Sequence, residues 1–292
     1  MEFGNFPPLI GSYVQFVGIN SVDDFAGALV GSHSHEMAVS VMVLIVVLMA
    51  QQFGYSMRKG SARTLAAIGL SLVAIGTVVM TVMYVAAAFT TWSPPAWFVS
   101  GPGGANGIAS DDVITGILVM GGGLLVAAAL VLERSSIRMP VRLAAAWSWL
   151  LSFATVVVAG FAIEMNEVYF GAGDQGAPGA AKDAVFTWLH QDIGLFLFPF
   201  IVLVMLVVER LVAHGHRGWI GWTAIIGTTI TFIGGLIFVF LEPALYGPGY
   251  IISTIGLVIV GIALLATLWW GAIASIVEHT KDRARHAPPI PA

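Results

Sequence analysis

Residues 251–277 read IISTIGLVIVGIALLATLWWGAIASIV, 27 residues without a charged side chain. As a helix rising 1.5 Å per residue, the run is about 40 Å long, more than the roughly 30 Å of bilayer hydrocarbon. A helix apolar all round for that length belongs in lipid or deep inside a large core. Six further apolar stretches lie upstream, at about 36–54, 64–90, 112–132, 143–164, 189–208 and 219–241. None shows the repeated alternation of a barrel strand, so in lipid helices are the form that satisfies the backbone. The expected fold is an all-α integral membrane protein with about seven transmembrane helices. Residues 1–32 form an outer N-terminal segment, 33–278 the transmembrane domain and 279–292 a cytoplasmic tail.

Composition agrees. Hydrophobic residues make up 58% of the chain, charged residues only 10%, and mean hydropathy is +0.91. A soluble domain carries about 25% charged residues. There is no cysteine. Disulfides, iron–sulfur clusters, thiolate-ligated haem and c-type haem attachment are therefore excluded. The first 30 residues contain Asp23 and Asp24 and lack a basic start followed by an apolar run, so no cleavable signal peptide is expected.

Charge sets the orientation. Eleven of the twelve basic residues, Arg58, Lys59, Arg63, Arg134, Arg138, Arg142, Arg210, Arg217, Lys281, Arg283 and Arg285, fall after spans 1, 3 and 5 or in the tail. Only Lys182 falls on the other side. The positive-inside rule then puts the N-terminus outside and the C-terminus inside, in a multi-pass protein of the plasma membrane. The outer connections 91–111 and 165–188 are long and rich in Gly and Pro, whereas the inner ones are short and basic. Elaborated loops on one face mark where a protein works, although plain solvated linkers would look alike.

Arg58, Arg134 and Arg210 are spaced by 76 residues, each closing an odd-numbered span. Ser34-His35-Glu36, Ser110-Asp111-Asp112 and His190-Gln191-Asp192 open those spans. The register suggests three repeated hairpins followed by a lone seventh helix. Regular hairpins of unrelated origin would give similar spacing.

The candidate chemistry sits at the outer ends. His33 and His35 stand at the mouth of span 1, and His190 at the mouth of span 5. Neutral imidazole is a common metal ligand and the usual axial ligand of b-type haem. His33 and His35 are about 200° apart on a helix and cannot both face one centre. His35 is the deeper of the two. Ala38 follows His35 and Gly194 follows His190 by about one turn, small residues that would let a flat macrocycle approach. His35 and His190 are therefore the candidate ligands, with haem b as the first reading and copper or zinc as the second. The same histidines also read as wet side chains of the headgroup layer.

Glu164, Glu167 and Glu242 form an outer acidic group, and Asp192 lies one residue deeper than a helix cap. Glu242, Glu164 and Asp192 are candidate proton-handling groups, because a carboxylate near hydrocarbon is costly and its pKa rises on desolvation. Asp111 and Asp112 read as helix-start residues. On the inner side, His214 and His216 lie in a short basic connection and His279 follows span 7. They read as solvated loop residues, with a second, inner cofactor as the alternative. Gly121-Gly122-Gly123 and Gly234-Gly235 read as points of close helix packing. A retinal protein is set aside because Lys59, Lys182 and Lys281 all lie outside the spans.

His35-Glu36-Met37-Ala38 and Leu189-His190-Gln191 resemble the histidine-headed helix starts of haem A synthases and other b-haem membrane proteins. Across most of the chain the hairpin layout is similar as well. That family carries such starts in both halves, whereas span 3 here opens on Asp111 and Asp112. The resemblance implies a haem-binding redox protein, an electron-transfer subunit or a haem-modifying oxidoreductase of the respiratory chain. The alternatives are a quinone-reacting or anchoring subunit without its own metal, and a structural membrane subunit. Membrane lipid and partner subunits are expected partners, quinone is a further one, and nucleic acid is not.

Overall fold

The computed structural model describes residues 38–52, 60–89, 108–132, 139–170, 180–241, 246–273 and 276. Among these residues the secondary structure is helical apart from the short connections at 212–213 and 246–247, with no strand. Helix α1 is Ala38–Gln52, α2 Gly60–Phe89, α3 Ile108–Leu132 and α4 Met139–Phe170. Helix α5 joins Ala180–Trp188, a π-helical segment Leu189–Leu197, and Phe198–Leu211. Helix α6 joins His214–Leu236 to a π-helical Ile237–Leu241, and α7 joins Pro248–Thr267 to a π-helical Leu268–Ile273. Among the described residues five stretches are long and apolar enough to cross a membrane: Gly60–Val79, Pro140–Ile163, Val185–Leu211, His214–Leu241 and Pro248–Gly271. The apolar parts described for α1 and α3, Ala38–Gln52 and Gly116–Leu132, are shorter.

The helices start earlier than hydropathy alone indicates. Span 4 reads from 143 and span 6 from 219, yet the helices open at Met139 and His214. A hydropathy window closes where charge begins, but a helix keeps its ladder into the interface. His214, His216 and Arg217 therefore belong to the first turn of α6, not to a loop. Asp111 and Asp112 likewise lie inside the first turns of α3.

The described helices group into two compact units. One draws on Met1–Ala129 and Phe153–Phe196, the other on Leu130–Ser152 and Leu197–Ala292. In the first, α1 buries Ala38, Met42, Ile45, Val46 and Met49 along one stripe and exposes Val41, Leu44 and Val47 on the opposite side. Helices α2 and α3 run antiparallel at close range. A Cβ on Gly122 would meet Val73 Cγ2 at 2.9 Å, and one on Gly76 would meet Leu118 Cβ at 2.9 Å. Gly121, in the same triple-glycine run, has nothing within 4 Å.

In the second unit α6 and α7 pack backbone to backbone. Gly227 faces Val260, Gly234 faces Ser253, Gly256 faces Thr231 and Gly249 faces Phe238. Small residues at interhelical contacts are how membrane helices gain close van der Waals packing when no hydrophobic drive separates lipid from protein. Helix α4 runs parallel to α6: Gly221 abuts the Pro140 carbonyl, and Trp147 Nε1 donates to Thr229 Oγ1 at 2.8 Å. Trp147→Phe removes that bond and should lower stability by about 0.6 kcal/mol, read from unfolding in detergent. An unchanged midpoint would mean the bond contributes nothing. Large side chains such as Val78, Phe161, Leu241 and Leu265 are at least 60% exposed, a surface suited to lipid and costly in water.

Candidate functional site

His190 lies in the nine-residue π-helical segment of α5. The segment has a local cause. Pro199 stands in the first turn of the α-helix that follows. Its ring crowds the carbonyl four residues back and it has no N–H to give. Widening the preceding turns relieves that crowding, and π-helical turns recur at functional sites.

The ring of His190 is half-buried, and its Nδ1 lies 3.1 Å from the carbonyl oxygen of Val156 on α4. A carbonyl can only accept, so Nδ1 carries the proton of this bond. In the neutral ring Nε2 then holds the lone pair, the tautomer in which a histidine ligates a metal. Metal-ligating histidines commonly have the other nitrogen held by a carbonyl in this way.

Two glycines permit the approach. A Cβ on Gly160 would stand 3.2 Å from His190 Cε1 and 3.3 Å from its Nδ1. A Cβ on Gly194 would stand 2.8 Å from Val156 Cγ2 and 3.2 Å from Thr155 Cγ2. The second contact changes the reading of Gly194. Its open side is filled by α4 itself, so it serves helix packing and not the approach of a macrocycle. A flat group held by His190 would lie on the ring's Nε2 side.

Helix geometry places the backbone of Glu164 one turn beyond Gly160 on the same row, about 6 Å further along α4. Asp192 is exposed, unlike the half-buried His190. His33, His35 and Glu242 lie outside the described residues, as does His279. Among the described residues no group of three or more His, Asp or Glu side chains gathers as a metal site.

The structure adds a buried charged set that hydropathy reading passes over. Arg142, Glu209 and Arg217 are 1%, 7% and 8% exposed. Arg217 Nε donates to the Val212 carbonyl at 2.6 Å. His216 stacks on Trp270 with ring centroids 4.7 Å apart, and Trp219 meets the same indole edge-on at 5.5 Å. One signal for Glu209 was available: it stands four residues after Met205, in phase with a side chain the helix buries fully.

Among the described residues, fold and site together define a helical protein with five helices long and apolar enough to cross a membrane, one of which presents an oriented histidine. No family model, curated protein or solved structure matches the chain.

Proposed function

We propose that the chain is a seven-span plasma-membrane protein, N-terminus outside and C-terminus inside, that binds a b-type haem through His190 and His35 at its outer side and acts in electron transfer. The observation that carries this reading is the Nδ1 bond of His190 to Val156, which favours the ligating tautomer. Gly160 beside the ring supports it, because any side chain there would push against the imidazole. Spacing supports the choice of His35. In the sequence it stands seven residues before Met42 and eleven before Val46, a spacing that would share one face if the helix began that early. When bound, the haem would supply one-electron chemistry at the iron. The chain's own part is to hold the two imidazoles, keep the site away from bulk water and set its charge. Partner subunits would deliver or accept the electron, with quinone as a small-molecule alternative.

A second reading is favoured by the same contact. His190 could act only as a clamp, tying α5 to α4 through the Val156 carbonyl. The variants that separate the two readings are argued below.

Orientation has its own test. The chain has no cysteine, so single cysteines report cleanly. Tyr246 and Ala213 are both exposed. In intact cells an impermeant maleimide should label Tyr246→Cys and leave Ala213→Cys untouched until the membrane is opened. The reverse pattern overturns the topology.

Glu242 and Glu164 join this reading by sequence alone, as carboxylates expected at the outer face. Glu242→Gln keeps size and hydrogen bonding but removes a negative charge. A nearby carboxylate stabilises the oxidised, more positive haem. Its loss should raise the potential by roughly 40 mV, the equivalent of about 1 kcal/mol for one electron. A redox titration with the potential unmoved would leave Glu242 as a surface carboxylate.

A further inference from the structure

The connection between α6 and α7 holds a tyrosine in an unfavourable backbone. Tyr246 has φ 65°, and among the described residues it is the one non-glycine residue with a positive φ. A bulky side chain in the left-handed region crowds its own backbone, which is why turns place glycine there. Gly247 follows immediately, yet the strained position carries an aromatic ring. Strain of this kind persists where the surrounding structure holds it, and it clusters at ligand sites.

The ring is one of three. Tyr246 meets Tyr250 edge to face, with centroids 5.6 Å apart and planes at 70°. Phe238, from the π-helical end of α6, lies 6.2 Å from Tyr250 with planes at 59°. Each neighbouring pair is inclined, so the rings form a corner and not a stack. Gly249 lets them gather, because a Cβ on it would run into the backbone of Phe238. Tyr246 is 79% exposed, so its ring keeps an open face. Tyr250 and Phe238 are half-buried.

Chemistry and charge select the guest. The faces of aromatic rings are negative, and several rings set at angles are the arrangement that takes up quaternary ammonium groups. Neither α6 after Arg217 nor α7 has a lysine or arginine to lay over these rings. Glu242, four residues before Tyr246, adds a negative charge to the same stretch of sequence. The two helices that the connection joins are each long and apolar enough to cross a membrane. A connection between two such helices lies at the level of lipid headgroups.

We infer that Phe238, Tyr246 and Tyr250 bind a trimethylammonium group through cation–π contacts. This does not depend on the haem reading. Two sources share the chemistry: the headgroup of phosphatidylcholine, and a soluble choline-like cation.

The test uses the full chain in maltoside detergent, which carries no ammonium group. The probes are choline and its neutral isostere, the alcohol in which carbon replaces the ammonium nitrogen. Saturation-transfer NMR on the methyl protons reads binding. Choline should bind about tenfold more tightly than the alcohol, the factor expected of cation–π contact with partly desolvated rings. Tyr250→Leu keeps apolar bulk and should bring choline down to the level of the alcohol. Tyr246→Gly should do the same without lowering the melting temperature, because glycine accepts the left-handed backbone. That variant separates lost binding from lost folding. Choline binding that disappears in phosphatidylcholine nanodiscs and persists in phosphatidylglycerol nanodiscs would support the site and identify the lipid headgroup as its source. Equal choline binding in both discs would support the site and identify the soluble cation. Equal binding of choline and the alcohol, binding of neither, or choline binding unchanged in either variant would overturn it.

Discussion

His190→Ala should abolish haem binding, and His190→Asn should abolish it while keeping the protein folded. The pair works because the two nitrogens of the ring have separate tasks. Nδ1 gives its proton to the Val156 carbonyl, and Nε2 is the ligating atom in the proposed site. An asparagine amide nitrogen can occupy roughly the position of Nδ1 and restore the interhelical bond, but it has no atom where Nε2 stands. Alanine removes both. Under the haem reading the two variants lose the haem absorption alike and differ in stability by about 1 kcal/mol, the worth of one buried hydrogen bond. Under the clamp reading the parent never shows haem, and only the stability difference appears. Haem fully retained in His190→Asn would contradict the ligand role directly.

Gly256→Leu should be the most damaging of the glycine substitutions. A Cβ at Gly256 would run into the backbone nitrogen and Oγ1 of Thr231, and neither can step aside without moving α6. Forcing bulk into a packed contact costs about 1–3 kcal/mol and more where backbone must shift, so a loss of about 3 kcal/mol is expected. Gly261→Leu is the control. It lies on the same helix, and a Cβ there meets nothing within 4 Å. Leucine has the better helix propensity, so this variant should be neutral or slightly stabilising. Unfolding in mixed micelles measures both. Equal effects would mean that the α6–α7 interface is not built on its glycines.

The apolar runs made the helices legible, because lipid demands length and low charge and leaves little else to read. Helix ends were harder. Met139 and His214 open their helices within polar sequence, where hydropathy has no signal. Glycine was legible as a packing residue but not in its pairing. Nothing in Gly121-Gly122-Gly123 says that Gly122 is the one pressed against Val73 while Gly121 is open. Gly194 stood in the right place for a macrocycle by spacing, and α4 fills that place instead. His190 was legible as an ionisable group near hydrocarbon. Its acceptor was not, since a backbone carbonyl 34 residues away carries no sequence mark. Arg217 was counted as an inner-face charge, and that count is silent about its turn back onto Val212.

Haem bound at His190, as proposed, is open to direct observation. The direct measurement is the reduced-minus-oxidised visible spectrum of the protein purified in mild detergent from haem-replete cells, with haem quantified against protein. Stoichiometric b-type haem is expected, lost in His190→Asn and in His35→Ala. Protein that is folded, monodisperse and free of haem would contradict it, and would leave His190 as a clamp between α4 and α5.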